Sequence, residues 1–401
     1  MSLGLVEVIS LMLGLGGFGV EHNPNAPSPD VALQYALPDA DLVVHFDAAA
    51  VVPKNYKVLT SLPNTPAIKS SPELVDGIRK MIGEVEGVRG IAKMATGVDL
   101  VSDVNDATVF LRIVPKQAPT FVAVAHGKFS SANLDKIATS MHHPVTKVGA
   151  GALIDNGADE PAIGVTKDGV LIAGDLDLVR DRVGSTWRAP ARPANSNLAY
   201  AAEVIAQKPI YAVVATLSPQ ARKAINDNAG PKNFLTDLVN RHKLATFSVY
   251  ADGIGWTWID RTRAGLDNME TVSLGVLDLL KAAHIAPRGF AKIALGALDS
   301  YKGVDKKIDD VIRHKADVMK LVETFTGDGD FKTSVQKDPR TLKLSVRATG
   351  KSLSEVVPAG VLVPVGMAFF LFRSQEAMDM SPPMPQPVRA VPARPVPARK
   401  R

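Results

Sequence analysis

The chain has 401 residues, 46% of them hydrophobic and 22% charged, and it contains no cysteine. This apolar content is enough to bury a core in one large or two ordinary domains, whereas the lack of cysteine excludes a disulfide scaffold, a thiol nucleophile and a thiolate metal site. The net charge of +5 comes from residues 389–401, which contain five basic and no acidic residues, so the rest of the chain is balanced.

The first 20 residues form an apolar segment that holds a single charge, Glu7. Its uncharged run, Val8–Val20, fits an export signal or anchor better than a full membrane span, which needs about 20 residues. The alternative is a buried strand or helix at the start of the fold. Three glycines match the dinucleotide-binding spacing G-x-G-x-x-G, namely Gly14, Gly16 and Gly19. A proline-containing linker over residues 21–40 follows them in place of a helix, so no cofactor is predicted.

The first α+β unit is predicted over residues 41–188. It starts with an apolar strand at Leu42–Phe46, followed by a long helix between Ser71 and Thr96. Apolar residues of this helix recur at spacings of three and four, which predicts a buried face made of Ile78, Met81, Ile82, Val85, Val88, Ile91 and Met94. A strand, a helix, a hairpin and a helix follow, at Thr120–Ala125, Ser131–Met141, Ile163–Ala173 and Leu176–Trp187. The hairpin turn is predicted at Asp168-Gly169, because this pair favours the positive φ angles of a tight turn.

A Pro- and Arg-rich linker at residues 189–197 separates this unit from a second one over residues 198–350. The second unit repeats the order of strand, helix, hairpin and helix, at Ile210–Leu217, Pro219–Arg241, Ala245–Ile259 and Gly265–His284. Its turn, Asp252-Gly253, lies 84 residues after Asp168-Gly169, which predicts a duplicated unit. The last predicted elements are a strand, an amphipathic helix and a hairpin, at Gly289–Leu298, Asp305–Thr326 and Lys332–Val346.

Antiparallel hairpins that alternate with helices predict an α+β fold, in which two similar units of antiparallel sheet carry helices packed on one face. The duplicated strand–helix–hairpin–helix order, with apolar segments near both termini, resembles uncharacterised exported proteins of the bacterial envelope. The resemblance covers residues 40–350 in organisation. It implies that the body of the protein lies outside the cytoplasm, and it implies no particular activity.

The segment Val356–Phe372 has 17 residues and no charge. A helix of that length spans about 26 Å, close to the hydrocarbon core of a bilayer, so the segment is a candidate membrane span that contacts lipid. The alternative is a pair of strands that completes the core, because the segment is β-branched and contains Pro358 and Pro364. Basic residues follow the segment, so the positive-inside rule predicts a cytoplasmic C-terminus and a body on the other side of the membrane.

Residues 373–401 are rich in Pro and Arg and are predicted to form an extended, disordered tail. The tail is either a spacer or a contact for anionic lipid headgroups or an acidic partner, through Arg389, Arg394, Arg399, Lys400 and Arg401. Nucleic acid is not an expected partner, because the rest of the chain has no excess of positive charge and a tail alone binds weakly.

Candidate ligand-binding side chains lie on two of the predicted strands. His45 and Asp47 flank Phe46, so a strand places both on one face, where they could form an acid–base pair or hold a metal ion. With no third ligand nearby, a polar pair at a sheet edge is the simpler interpretation, and neither a metal site nor a catalytic residue is predicted. Trp256 and Trp258 also share one face of a strand, either as a binding patch or as core under a helix.

The leading hypothesis is a non-catalytic, membrane-anchored protein whose extracytoplasmic body binds or assembles with another envelope protein. One alternative is a soluble or exported enzyme of the hydrolase type, with a site near His45 and Asp47. The other alternative is a protein that recruits anionic lipid or nucleic acid through its basic C-terminal tail.

Overall fold

The computed structural model describes residues 30–350, apart from gaps at 70–71, 158–159, 185, 195, 229–233, 300–301, 304–308, 310–311, 317–318 and 320–330. All described residues belong to one structural unit, Met1–Gly360, and a second unit comprises Val361–Arg401. The N-terminal apolar segment, the candidate membrane segment and the basic tail lie outside the described residues. So does most of the amphipathic helix predicted at Asp305–Thr326.

Strands and helices alternate along the part of the chain that the structure describes. The strands are β1 (Leu42–Phe46), β2 (Val104–Arg112), β3 (Thr120–Gly127), β4 (Val145–Val148), β5 (Gly151–Ile154), β6 (Ala162–Val165), β7 (Val170–Gly174), β8 (Tyr211–Ala215), β9 (His242–Tyr250), β10 (Gly253–Asp260), β11 (Lys332–Asp338) and β12 (Lys343–Thr349). The helices are α1 (Asp30–Gln34), α2 (Ala48–Ser61), α3 (Pro66–Lys69), α4 (Pro72–Thr96), α5 (Ser131–Met141), α6 (Leu176–Val183), α7 (Asn197–Ile205), α8 (Pro219–Asn228), α9 (Phe234–Arg241) and α10 (Arg263–Leu298).

These strands form one 12-stranded sheet, in the order β11-β12-β10-β9-β8-β1-β2-β3-β7-β6-β5-β4. Strand β1 of the first predicted unit pairs antiparallel with β8 of the second, with Val44 opposite Val213. The α+β class and the antiparallel pairing are therefore confirmed, although the strands make a single continuous sheet. The hairpins predicted around Asp168-Gly169 and Asp252-Gly253 are present as β6–β7 and β9–β10.

Helices pack on both faces of the sheet, so the prediction of helices on one face is wrong. In β6, Gly164 faces Val179 and Val183 of α6, whereas the adjacent Ile163 packs with Leu134 of α5. Neighbouring residues of a strand point to opposite faces, which places α5 and α6 on opposite sides of the sheet. The physical reason is that several strands are apolar on both faces, and each face then favours burial against another element.

The main core lies on the side covered by α1, α6 and α7, which we call the core face. Val43 and Phe110 of the neighbouring strands β1 and β2 are fully buried there, in one cluster with Leu33 of α1 and Leu198 of α7. Burial of a side chain of this size contributes about 1.5–3 kcal/mol. Residues 30–40 fall in the predicted linker, but they form α1 and its following turn and pack into this core.

A buried arginine fixes α1 to the body. Arg182 of α6 donates hydrogen bonds from Nε to the Tyr35 carbonyl at 2.7 Å and from Nη2 to the Ala36 carbonyl at 2.9 Å. Its guanidinium also lies 4.3 Å from the ring centre of Trp187. Burial lowers the pKa of Arg182 to about 10, so the group stays charged at neutral pH while main-chain carbonyls replace its water.

Two long helices differ from their predictions. α10 continues through Pro287 to Leu298, so the strand predicted at Gly289–Leu298 is wrong. The pair of turn-forming residues Pro287 and Gly289 favours a break locally, but extension of an existing helix adds a hydrogen bond per residue and outweighs a local preference. In α4, the predicted buried face is only half-buried or exposed, and Met94 exposes 77% of its surface.

Among the helices that the structure describes, none combines the length and the apolar composition that a membrane crossing requires.

Candidate apolar binding surface

The face of the sheet opposite the core face carries apolar side chains across its middle strands. The register aligns Phe247, Val213, Val44, Val109 and Ala123 in one row across β9, β8, β1, β2 and β3. A second row and part of a third run beside it in the same register. We call this surface the apolar sheet face and define it by Leu42, Val44, Ala107, Val109, Leu111, Phe121, Ala123, Ala125, Val213, Ala215, Ala245 and Phe247.

Every residue of the apolar sheet face is partly exposed, whereas the residues that alternate with them on the core face, such as Phe110 and Val122, are buried. An antiparallel sheet with one face toward water normally places polar residues on that face. Here the outward positions of the five middle strands are apolar as well. Contiguous apolar surface of this kind marks a site of association.

Helices α5 and α10 stand over the two ends of this face. α5 packs on Ile163 and Leu171, beyond β3, and α10 lies over β10 and β12, beyond β9. Five strands separate the two helices, and at about 4.8 Å between strands the gap is on the order of 24 Å wide. We call the resulting groove the apolar trough: its floor is the apolar sheet face and its walls are α5 and α10.

Trp256 and Trp258 both point to this side of the sheet, but they take different positions. Trp258 is buried, donates from Nε1 to Asp260 Oδ2 at 3.1 Å, and has its ring centre 5.2 Å from that of His242. Trp256 is half-buried and donates from Nε1 to Ser273 Oγ of α10 at 3.0 Å. Trp258 therefore belongs to the core, whereas Trp256 lies at the α10 wall of the trough.

One side of α10 adds apolar surface to this wall. Leu279, Phe290 and Ile293 each expose 70–71% of their surface, and Val272 and Val276 are exposed as well. Spacings of four, three, eleven and three residues place all five along one side of a helix. We call these five residues the α10 seam. A different side of α10 packs on the sheet, through the buried residues Leu266, Met269, Ser273 and Leu277.

His45, one of the two polar residues predicted to form a site, is buried on the core face. It is only 3% exposed, and its Nδ1 lies 2.9 Å from Oγ1 of the fully buried Thr108. Burial lowers the pKa of His45 to about 4, and the nearby Asp106 carboxylate partly offsets this effect. The ring is neutral at pH 7 and enclosed by protein, which is typical of a structural histidine rather than one that meets a substrate.

We expect His45 to make the fold sensitive to acid. Below pH 6.5 an unfolded histidine takes up a proton that the folded chain excludes down to about pH 4. The free energy of unfolding should therefore fall by about 3 kcal/mol between pH 7 and pH 4 because of this group. Urea unfolding of the full chain and of His45→Asn at both pH values measures the effect. Equal losses in the two proteins would contradict the assignment.

Asp47 takes a different role from His45. Its Oδ1 accepts a hydrogen bond from the backbone N of Ala50 at 3.0 Å, so the carboxylate caps the first turn of α2. Within the described ranges, no group of three His, Asp or Glu side chains is arranged to hold a metal ion. The five basic tail residues proposed to contact an anionic partner lie outside the described residues.

The sequence analysis did not identify the apolar sheet face. Strand β2 was not predicted, and the surface exists only through its register with β1 and β3. A signal was present in the runs Leu42–Phe46 and Phe121–Ala125, which are almost wholly apolar at consecutive positions. Such runs indicate strands that are apolar on both faces, and hence a face that something else must cover.

Comparison with known proteins gives a distant structural likeness. No family model and no curated protein matches the chain. Among solved structures, crystal form III of TP0453 has a TM-score of 0.35 at 9% sequence identity, and the match covers 82% of this chain and 98% of that chain. Crystal form I of TP0453 gives a TM-score of 0.31 at 10% identity, covering 82% and 97%. Crystal form IV gives 0.29 at 12% identity, covering 57% and 78%.

Proposed function

We propose that the chain is a non-catalytic, membrane-anchored binding or assembly protein of the bacterial envelope. In this proposal Val356–Phe372 spans the membrane, and the body lies outside the cytoplasm. The basic tail lies inside, where Arg389 to Arg401 contact anionic headgroups. The apolar trough of the body is the surface that binds another component of the envelope.

The observation that carries this proposal is the apolar sheet face, a continuous and partly exposed surface of apolar side chains. Such a surface supports association, because covering it removes apolar area from water at about 25 cal/mol per Å². Catalysis requires polar groups that converge on a reacting atom. The two candidate polar residues favour binding too, since His45 is enclosed in the core and Asp47 caps a helix.

The two-unit organisation is part of the proposal. β1 and β8 lie side by side in the sheet, and each is followed by helices and then by a hairpin, β2–β3 or β9–β10, on its own side. This order supports an internal duplication whose two copies meet at the β1–β8 pair. The floor of the trough then lies across the junction between the copies.

Single cysteines can test the binding role, because the natural chain has none. Ala123 and Val122 are neighbours on β3, the first on the apolar sheet face and the second buried on the core face. In the purified full chain, in non-ionic detergent at submicromolar concentration, a maleimide should label Ala123→Cys about tenfold faster than Val122→Cys. In native membranes, where the binding partner is present, labelling of Ala123→Cys should slow by about tenfold.

Val122→Cys is the matched control, and it should remain slow in both settings because opening of the core is required for its reaction. Equal labelling rates for Ala123→Cys in membranes and in detergent would contradict a binding role for the trough. Equal rates for the two cysteines in detergent would show that the face is covered in the isolated chain, which contradicts the proposal as well.

A further inference from the structure

We propose that the partner in the apolar trough is a second copy of this chain, which inserts its own α10 antiparallel to the α10 that forms the wall. This inference rests on the proposed function, because it names the occupant of the same surface. It follows from the direction of the α10 seam, the dimensions of the trough, the open glycine positions of α10 and the distribution of charge along that helix.

The α10 seam points along the sheet toward the floor of the trough. Lys337 of the edge strand β11 forms ion pairs with Asp267 and Glu270, which fixes the side of α10 that faces β11. At 100° per residue, Val272 and Leu279 lie on the opposite flank of the helix. The seam therefore faces away from β11 and toward β9 and the middle strands, beside the apolar sheet face.

The dimensions of the trough suit helices better than a flat surface. A helix with its side chains is about 10 Å across, so a gap on the order of 24 Å accommodates one or two helices between the walls. A bilayer surface is flat on this scale and cannot reach a floor that lies one helix diameter below α5 and α10. An apolar helix side with anchors at spacings of three and four is the usual occupant of such a groove, and α10 carries one.

The backbone of α10 is accessible next to the seam. A β-carbon added at Gly275, Gly289 or Gly296 would meet no atom within 4 Å. Glycine inside a helix costs about 0.5–1 kcal/mol relative to alanine, so these positions weaken α10 as an isolated element. Open glycines beside exposed apolar side chains allow a second helix or a sheet to approach closely, which offsets that cost in the dimer.

The charge distribution favours the antiparallel orientation. Residues 263–278 of α10 contain Arg263, Asp267, Glu270 and Asp278, for a net charge of −2, whereas residues 279–298 contain three basic residues and no acidic one. An antiparallel pair places the acidic half of one copy beside the basic half of the other. A surface of single sign, such as an anionic membrane, complements only one half. These charges lie away from the seam, so they set orientation more than affinity.

The exposed area is on the scale of a specific interface. Specific complexes bury about 800 Å² per partner, and a monomer seldom exposes an apolar patch of more than a few hundred Å². The seam and the apolar sheet face together provide seventeen partly or largely exposed apolar side chains. A two-fold axis lets each copy supply a seam and receive one, so the contact closes as a dimer and does not propagate.

The test uses the natural chain as the probe, since it has no cysteine and does not react with maleimide. Purified full-length Ala123→Cys is labelled at submicromolar concentration in non-ionic detergent while the natural chain is added up to tens of micromolar. We expect labelling to slow by about tenfold as mixed dimers form. Sedimentation velocity over the same range should show conversion from monomer to dimer.

Two exposed leucines of α10 give a matched pair of titrants. Leu279 lies on the seam, whereas Leu274 is 48% exposed and, five residues earlier, points to another side of the helix. Added Leu279→Lys chain should protect Ala123→Cys at least about tenfold less well than the natural chain, because a buried lysine at the interface centre is costly. Added Leu274→Lys chain should protect as well as the natural chain does.

Orientation is tested by disulfide formation. In an antiparallel pair, the middle of α10 meets the middle of its partner, so Leu279→Cys should oxidise to a covalent dimer, and Leu274→Cys should not. If the natural chain gives no protection while native membranes still protect Ala123→Cys, the second copy is not the occupant, and the proposed function stands. If neither protects, both proposals fail. Equal protection by the two lysine variants would overturn the role of the seam.

Discussion

We expect Asp41→Ala to lower the free energy of unfolding by about 4 kcal/mol, because Asp41 joins three central strands through its side chain. Its carboxylate is buried just before β1, where Oδ1 accepts from the Ser218 backbone N at 2.6 Å and Oδ2 accepts from the Ile113 backbone N at 2.9 Å. Ser218 follows β8, and Ile113 follows β2. Alanine would leave two buried N–H groups without an acceptor, at about 1–3 kcal/mol each.

Asp39 provides the matched control two residues away. Its carboxylate pairs with Arg112 at 2.8 Å but is 59% exposed, so Asp39→Ala should cost less than about 1 kcal/mol. Urea unfolding of both variants, compared at an unchanged slope, measures the difference. Asp41→Asn should fall between them, because the amide keeps one acceptor oxygen. Similar losses for Asp39→Ala and Asp41→Ala would contradict the role assigned to Asp41.

Local turn and helix signals were sufficient for several elements. The helix predicted at Ser131–Met141 is present with the same bounds, and Ser130 caps it through a hydrogen bond from the Asn133 backbone N. The β6–β7 turn uses Gly169 with a φ of +75°, the backbone conformation that the Asp168-Gly169 pair predicts. These features depend on a few neighbouring residues, so a single sequence contains the information that specifies them.

Features that depend on distant contacts were not predicted. The short helix Asp30–Gln34 follows a proline-containing stretch and looks like linker, yet Arg182 and Leu198 hold it in the core from more than 140 residues away. The single sheet depends on the pairing of β1 with β8, and no local pattern specifies that partner. The same limitation applies to the apolar sheet face, because its rows combine residues from five strands.

The interpretation of apolar periodicity also needed the structure. Spacings of three and four in α4 and α10 correctly predict helices with an apolar side. The pattern does not say whether that side meets the core or remains exposed, and Met94 and Phe290 are largely exposed. An apolar helix side is buried against something in a working protein, but the partner can be another molecule.

The largest effect that we expect on localisation comes from charges in the candidate membrane segment. Each arginine placed at the centre of a membrane helix costs about 2.5–3.5 kcal/mol on insertion scales, so Val363→Arg with Met367→Arg should oppose insertion by about 6 kcal/mol. The control, Val388→Arg with Val391→Arg, adds the same charge to the basic tail. A positive charge there is compatible with anionic headgroups, so the control should remain in the membrane.

Alkaline carbonate extraction of membranes that contain the full chain tests the proposed anchoring most directly. The natural chain and the tail control should stay in the membrane pellet and require detergent for release, whereas the Val363→Arg, Met367→Arg variant should appear in the supernatant. Release of the natural chain by carbonate alone, or retention of the variant with charges in Val356–Phe372, would contradict a membrane anchor at this segment.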